Sequence, residues 1–192
     1  YKVFGPHFAV LYGKYALFAE LDNLYHYFYD KDKIPAKLEP GNASYELAYS
    51  SLGIVDYLVA LADGHAVAGS RRSKIEGAFE LITRHENAIA ERLLAYLRSR
   101  SDCRIVGFEH GDDPRRVPTI SFVVDGRDPG EIAKNIDPYR IAVRFGDFHA
   151  RRLIENLGLH RNNGCVRVSM THYNTLEEVD ALIAALDDVL AN

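Results

Sequence analysis

An arginine within a short apolar strand stands out in this sequence as a residue that could do chemistry. In the predicted strand 165–169, the alternation of side chains places Arg167 on one face with Cys165 and Ser169. A guanidinium in so apolar a strand needs an anionic partner. That partner is either a carboxylate of the protein, in a structural ion pair, or the carboxylate of a substrate held by the planar guanidinium fork.

Three further residues are candidates because of their neighbours. Arg144 directly follows a predicted strand, 141–143, and the turn after it contains Gly146 and delivers His149 to the edge of the sheet. Lys2 stands just before a Gly-Pro turn near the start of the chain. By itself a lysine in that place indicates no more than an ordinary solvated side chain, so its interpretation depends on the other segments.

The elements that must position these residues follow from periodicity. Apolar residues recur at helical spacing over residues 45–64 and 70–100, and the longer helix has the length of a connector between two lobes. Helix start signals occur at Asp128-Pro129-Gly130-Glu131 and in the capping box from Thr175 to Glu178. Short apolar or alternating stretches predict strands over residues 8–12, 103–108, 119–124, 141–143 and 166–170. From about residue 70 onward we therefore expect a compact α+β lobe with one sheet layer covered by helices.

Composition excludes several classes of protein. The chain has 192 residues, 47% hydrophobic and 26% charged, which is ordinary for a globular domain and gives no case for disorder. The net charge of −4 has the wrong sign for binding nucleic acid by bulk charge. Apolar runs are far shorter than the roughly 20 residues of a membrane span, and no secretory signal opens the chain. We expect neither nucleic acid nor a membrane as partner, and a cytoplasmic location.

The two cysteines indicate the redox state of the protein, and the position of the single methionine indicates a longer parent. Cys103 and Cys165 lack the spacing of a zinc site or a disulfide framework, so we expect buried thiols in a reducing compartment and no metal. The chain opens at Tyr1, and its only methionine is Met170. We therefore expect a longer parent protein.

Taken together, these segments resemble class V aminotransferases, and within them the cysteine desulfurase-like branch. The resemblance covers essentially the whole chain, and its segments keep the order and spacing of that family. They are Lys2-Val3-Phe4-Gly5-Pro6-His7, Leu38-Glu39-Pro40-Gly41-Asn42, Ile141-Ala142-Val143-Arg144-Phe145-Gly146, Val166-Arg167-Val168-Ser169, and His172-Tyr173-Asn174-Thr175 followed by Glu178-Val179-Asp180.

The resemblance implies a fold, a cofactor and a role for each residue. It implies an α/β fold of fold-type I, with residues 1–65 a remnant of the large domain and residues 66–192 the small C-terminal α+β domain. Lys2 would form the internal Schiff base with pyridoxal 5′-phosphate, and Arg167 would hold the α-carboxylate of an amino-acid substrate. Arg144 would be a second active-site arginine. Gly41 and Asn42 would reach the cofactor phosphate of a neighbouring subunit, which implies a homodimer.

Departures from the family pattern limit what the resemblance implies. Desulfurases that form a persulfide have a cysteine where this chain has His149, so the thiolate that attacks the substrate sulfur is absent from that position. We therefore do not expect persulfide chemistry, and we expect His149 to line the entrance of the active site. The preceding half of such enzymes supplies most cofactor contacts, so we expect this chain alone to be inactive. Transamination, C–S lysis and epimerisation stay open. The alternative is a non-catalytic module for dimerisation or binding, in which Lys2 is incidental.

Overall fold

The computed structural model describes residues 3–24, 26–39, 41–159, 161 and 163–191. The chain divides into two compact units, one up to Phe79 and one from Glu80 onward. Helix α4, Arg71–Ser99, passes from one unit into the other. The division into domains at residues 65 and 66 stays a prediction.

The first unit is helical in its described part. Its elements are α1 (Tyr15–Glu20), a 3₁₀ turn (Ala36–Leu38), α2 (Tyr45–Ser50), α3 (Leu52–Gly64) and the start of α4. The helix expected over residues 45–64 is interrupted at Ser51, whose hydroxyl donates to the Ala48 carbonyl and competes with the helical pattern. The strand expected over residues 8–12 is wrong, because the described part of this unit offers no strand to pair with its backbone.

A four-stranded antiparallel sheet organises the second unit. Its strands are β1 (Cys103–Val106), β2 (Thr119–Val124), β3 (Arg144–Gly146) and β4 (Cys165–Ser169), in the spatial order β1-β2-β4-β3. The remaining elements are α5 (Pro129–Ile136), a 3₁₀ turn (Asp137–Tyr139), α6 (Arg151–Asn156) and α7 (Leu176–Ala191). The mixed helix-and-sheet lobe agrees with the predicted fold class.

One face of the sheet is apolar and carries the main core. Phe122, Val166 and Val168 on this face are buried against Leu93 of α4 and Leu186 of α7, within a larger cluster that includes α5. Burial of this surface is the main stabilising term of the unit, at about 25 cal/mol for each Å² of apolar area. The opposite face bears the alternating residues that include Arg167.

The predicted helix caps position α5 and α7 against this core. Asp128 Oδ1 accepts hydrogen bonds from the backbone N–H groups of Gly130 (2.7 Å) and Glu131 (3.2 Å). Thr175 and Glu178 form the predicted capping box, in which each side chain accepts from the other's backbone N–H. Both start signals are therefore confirmed.

The third strand differs from its prediction by three residues. Ile141 and Val143 pack on the core outside any strand, and pairing begins only at Arg144. The apolar pattern of residues 141–143 reflects contact with the core, whereas a strand requires backbone hydrogen bonds to a partner. Within the described ranges, the helices lack the length or the apolar character that crossing a membrane would require.

Candidate active site

Three polar side chains form a row across the polar face of the sheet. Arg167 pairs with Arg144 on β3 and with Ser121 on β2. Residues directly opposite in antiparallel strands project from the same face, so the Arg144 and Arg167 side chains are cross-strand neighbours. The predicted grouping of Cys165, Arg167 and Ser169 on one face is consistent with this register.

A pocket of about 240 Å³ opens at the end of this row. Its lining brings together three of the predicted site residues, Arg144, His149 and Arg167, and adds the turn that joins β3 to α6. The lining residues are Arg144, Phe145, Gly146, Asp147, Phe148, His149 and Arg167. The pocket holds two arginines and a single carboxylate, so it suits an anionic ligand.

Arg167 is half-buried, and its charge is not neutralised by the described residues. Its guanidinium carbon lies 4.2 Å from the centroid of the Phe148 ring, and its Nε is buried with no hydrogen-bond partner. Among the residues that the structure describes, no carboxylate forms an ion pair with it. A buried donor without a partner costs about 1–3 kcal/mol, so this site favours an external anion.

The turn after β3 adopts an unusual backbone. Phe148 and His149 have φ of +53° and +62°, a region that non-glycine residues rarely occupy. Asp147 supports the turn, because its Oδ1 accepts from the His149 N–H at 3.0 Å and its carbonyl accepts from the Ala150 N–H at 2.8 Å. The turn directs Phe148 inward and leaves His149 exposed.

Phe148 was not identified from the sequence. Its ring packs against a small cluster on the polar face of the sheet, formed by Val123, Ile154, Leu159 and Cys165. The only signal in the sequence is an aromatic residue in an otherwise polar turn. Its stacking on Arg167 depends on the backbone of the turn, which sequence periodicity does not specify.

Two glycines bring the turn close to β4. Gly164 has φ of +89°, and a Cβ placed there would overlap the backbone carbonyl of Gly146. The adjacent residues Cys165 and Gly146 are paired across the strands. Glycine at residue 164 therefore permits the close approach of the two strands that shapes the pocket.

The predicted cofactor residues lie in the first unit or outside the described residues. Gly41 and Asn42 occupy an exposed loop before α2, and a Cβ at Gly41 would meet nothing within 4 Å. An open glycine backbone beside an asparagine amide fits the approach of a phosphate group. Lys2 lies outside the described residues.

The two cysteines are free thiols on strands, and the Cys165 Sγ lies 4.0 Å from the Gly146 carbonyl oxygen. Burial raises the pKa of Cys165 on β4 and of Cys103 on β1. A thiol attacks as its thiolate, so a raised pKa opposes nucleophilic use at neutral pH. In the described ranges, His, Cys, Asp and Glu side chains form no group of three or more that could hold a metal.

A second cluster that sequence analysis missed joins α4 to the segment between β4 and α7. His85 Nε2 lies 2.8 Å from the Asn174 carbonyl, and His172 Nδ1 lies 3.9 Å from Glu86 Oε1. Burial raises the pKa of Glu86, and burial, with a smaller electrostatic effect of His85, lowers the pKa of His172. The lowered pKa favours the uncharged form of His172, in which its contact with Glu86 is not an ion pair.

A family model and two relatives of known sequence indicate the same family. The sequence model described as Aminotransferase class-V matches residues 73–182. The chain is 35% identical over 191 residues to the aminotransferase-like protein FGM3 of Gibberella zeae, covering 99% of this chain and 44% of that protein. It is 32% identical to the cysteine desulfurase-like protein ustD of Aspergillus flavus, covering 99% of this chain and 41% of that protein.

A solved structure shows the same fold. The apo cysteine desulfurase of Thermococcus onnurineus superposes with a TM-score of 0.52 and 26% identity, over 63% of this chain and 30% of that one. The chain thus spans less than half the length of the relatives it matches.

Proposed function

This chain belongs to the Aminotransferase class-V family, and we propose that it is the C-terminal part of a pyridoxal 5′-phosphate enzyme acting on an α-amino acid. The observation that carries the proposal is the environment of Arg167. Its half-buried guanidinium has a buried, unpartnered Nε and no ion pair among the described residues. A substrate α-carboxylate supplies the anion that this site lacks.

We assign the binding of substrate to the row of arginines. Arg167 binds the α-carboxylate through its planar fork and so orients the Cα of the amino acid. Arg144 is the second active-site arginine, and its charge raises the local concentration of anionic substrates. His149 is exposed at the mouth of the same pocket and lines the entrance.

Cofactor binding is assigned to Lys2, Gly41 and Asn42. When bound, pyridoxal 5′-phosphate supplies an electron sink that stabilises negative charge at the substrate Cα. Lys2 would hold the cofactor through its Nζ, and the same amine would serve as the base that moves the proton at the substrate Cα. The Gly41 backbone and the Asn42 amide would hold the phosphate of the cofactor bound to a neighbouring subunit, so the proposed parent enzyme is a homodimer. A cytoplasmic location is part of the same proposal.

The reaction is one of transamination, C–S lysis or epimerisation, because removal of the Cα proton is common to all three. Sulfur transfer through a protein persulfide is disfavoured, since His149 stands where that chemistry needs a thiolate. Cys165 and Cys103 do not replace it, because both have raised pKa values and lie on strands. We expect the 192-residue chain alone to show no turnover, since most cofactor contacts belong to the preceding half of the enzyme.

Absorption spectroscopy of the full-length parent tests this function. The protein purified with pyridoxal 5′-phosphate should show the visible band of a lysine-bound cofactor, and Lys2→Ala should abolish it. Lys14→Ala, an exposed lysine in the same segment, is the matched control and should keep the band. A band that survives Lys2→Ala would show that Lys2 does not bind the cofactor and would overturn its assignment. Absence of the band from the wild type would favour the non-catalytic module.

A further inference from the structure

We propose that Phe148 is the positioning residue that holds Arg167 ready for the substrate carboxylate. The inference rests on the proposed function of Arg167 and assigns a role to a residue of the same pocket. Phe148 acts through Arg167 and need not touch the substrate.

The contact has the geometry of a cation–π interaction. The guanidinium carbon of Arg167 lies 4.2 Å from the centroid of the Phe148 ring, well inside the roughly 6 Å range of this attraction. The partial burial of Arg167 strengthens the contact, because less water screens the charge.

The ring itself is held by packing. Phe148 is partly buried and packs against the cluster formed by Val123, Ile154, Leu159 and Cys165. Its backbone has φ of +53°, a conformation that persists only where the surroundings hold it. The Asp147 turn and the close approach of Gly164 to Gly146 supply that support. A rigid ring therefore restricts the long and otherwise mobile arginine side chain.

A ring suits this task better than a carboxylate would. A carboxylate beside Arg167 would accept its N–H groups and compete with the substrate for them. The face of an aromatic ring attracts the positive charge without accepting the in-plane N–H donors. The side chain of Arg167 donates no hydrogen bond to a described residue, so no protein acceptor there competes with substrate for its Nη groups.

Steady-state kinetics of the full-length enzyme test the proposal with ring variants. Phe148→Leu keeps apolar volume and removes the ring, and we expect KM for the amino acid to rise about fivefold with kcat nearly unchanged. Phe148→Tyr keeps the ring and should behave as the wild type. Phe108→Leu is the matched control, because the Phe108 ring makes the same kind of contact with Arg115, 3.9 Å from its guanidinium carbon, and neither residue lines this pocket. It should leave KM unchanged.

Fluorination separates electrostatics from packing. Fluorine substituents withdraw electron density from the ring face at nearly constant shape, so KM should rise stepwise from phenylalanine to fluoro- and trifluorophenylalanine at residue 148. In a protein that also carries Arg167→Ala, the same fluorinated residues should leave KM unchanged. The unfolding free energies of the wild type, Arg167→Ala, the trifluorophenylalanine protein and the protein with both changes form a double-mutant cycle. This readout does not depend on catalysis, and it should show favourable coupling between Phe148 and Arg167.

The outcomes separate the positioning role of Phe148 from the substrate role of Arg167. If Arg167→Ala raises KM and neither Phe148→Leu nor fluorination does, the positioning role is wrong and the proposed function stands. If Arg167→Ala itself leaves KM unchanged, the substrate role of Arg167 is wrong. Should Phe148→Leu fail to fold, the fluorinated proteins decide alone: a KM independent of fluorination overturns the proposal.

Discussion

Arg144 and Arg167 lie directly opposite each other in the antiparallel pair of β3 and β4. Like charges in this relationship repel, by an amount of about 0.2–1 kcal/mol on a sheet surface. Neither arginine forms an ion pair with a carboxylate among the residues that the structure describes. This pairing of like charges is consistent with an anion-binding site, because an anion between Arg144 and Arg167 would attract both side chains.

The repulsion predicts a gain in stability when one charge is removed. Arg144→Gln should raise the unfolding free energy by about 0.5 kcal/mol at low ionic strength, and less at high salt, where screening weakens the repulsion. Urea unfolding at two salt concentrations measures the effect. Arg152→Gln, an exposed arginine on α6, is the control and should change little. A loss of stability in Arg144→Gln would show that the Arg144 guanidinium makes a net stabilising interaction, and it would contradict the repulsion.

Loss of the Arg167 guanidinium should impair use of substrates that carry an α-carboxylate. Arg167→Ala in the full-length enzyme should lower kcat/KM for the amino acid by about 2 kcal/mol of transition-state stabilisation, mainly through KM. The kcat/KM of Arg167→Lys should lie between those of the wild type and Arg167→Ala, because lysine keeps the charge but lacks the planar pair of N–H donors. The control variant is Arg104→Ala on β1. Equal kcat/KM values for Arg167→Ala and wild type would assign Arg167 to structure.

The close approach of Gly146 and Gly164 predicts unequal effects of two glycine substitutions. Gly164→Ala meets both a φ of +89° and the Gly146 carbonyl, and it should cost about 3 kcal/mol or more. Gly158→Ala meets a φ of +71° with open space around the new methyl group, so it should cost about 1 kcal/mol. Thermal and urea unfolding of both variants measure the difference. Equal losses would show that the strand approach is not tight.

Burial of His172 predicts a dependence of stability on pH. Its folded-state pKa lies below the ordinary 6.5, so the unfolded chain binds the proton first and stability falls as the pH drops below that value. Glu86 acts in the opposite direction: its raised pKa makes the folded state bind the proton first, which adds stability as the pH falls toward 4.5.

Variants separate these two contributions. His172→Gln should flatten the fall in unfolding free energy just below pH 6.5, and Glu86→Gln should leave that fall in place. Urea unfolding across this pH range gives both curves. If the slope of His172→Gln matches that of the wild type, the histidine is not the group that titrates.

Features set by local pattern were predictable from the sequence. Period-two alternation placed Arg167 on the polar face of β4, and cap chemistry located the starts of α5 and α7 at Asp128 and Thr175. These signals depend on neighbouring residues, so a single sequence contains them.

Features set by distant contacts were not predictable. The position of β3 depends on where Arg144 meets β4, and the apolar residues before it gave a register three positions too early. The six-residue helix α6 and the stacking of Phe148 on Arg167 depend on a turn with positive φ, which composition does not reveal. His85, Glu86 and His172 come together from places more than 80 residues apart in the chain.

Borohydride reduction of the full-length protein, followed by peptide mass spectrometry, tests the central claim most directly. Reduction fixes a lysine-bound pyridoxal phosphate as a stable pyridoxyl amine. The account predicts this adduct on Lys2 in the cofactor-loaded parent enzyme. An adduct on another lysine, or none at all, would contradict it.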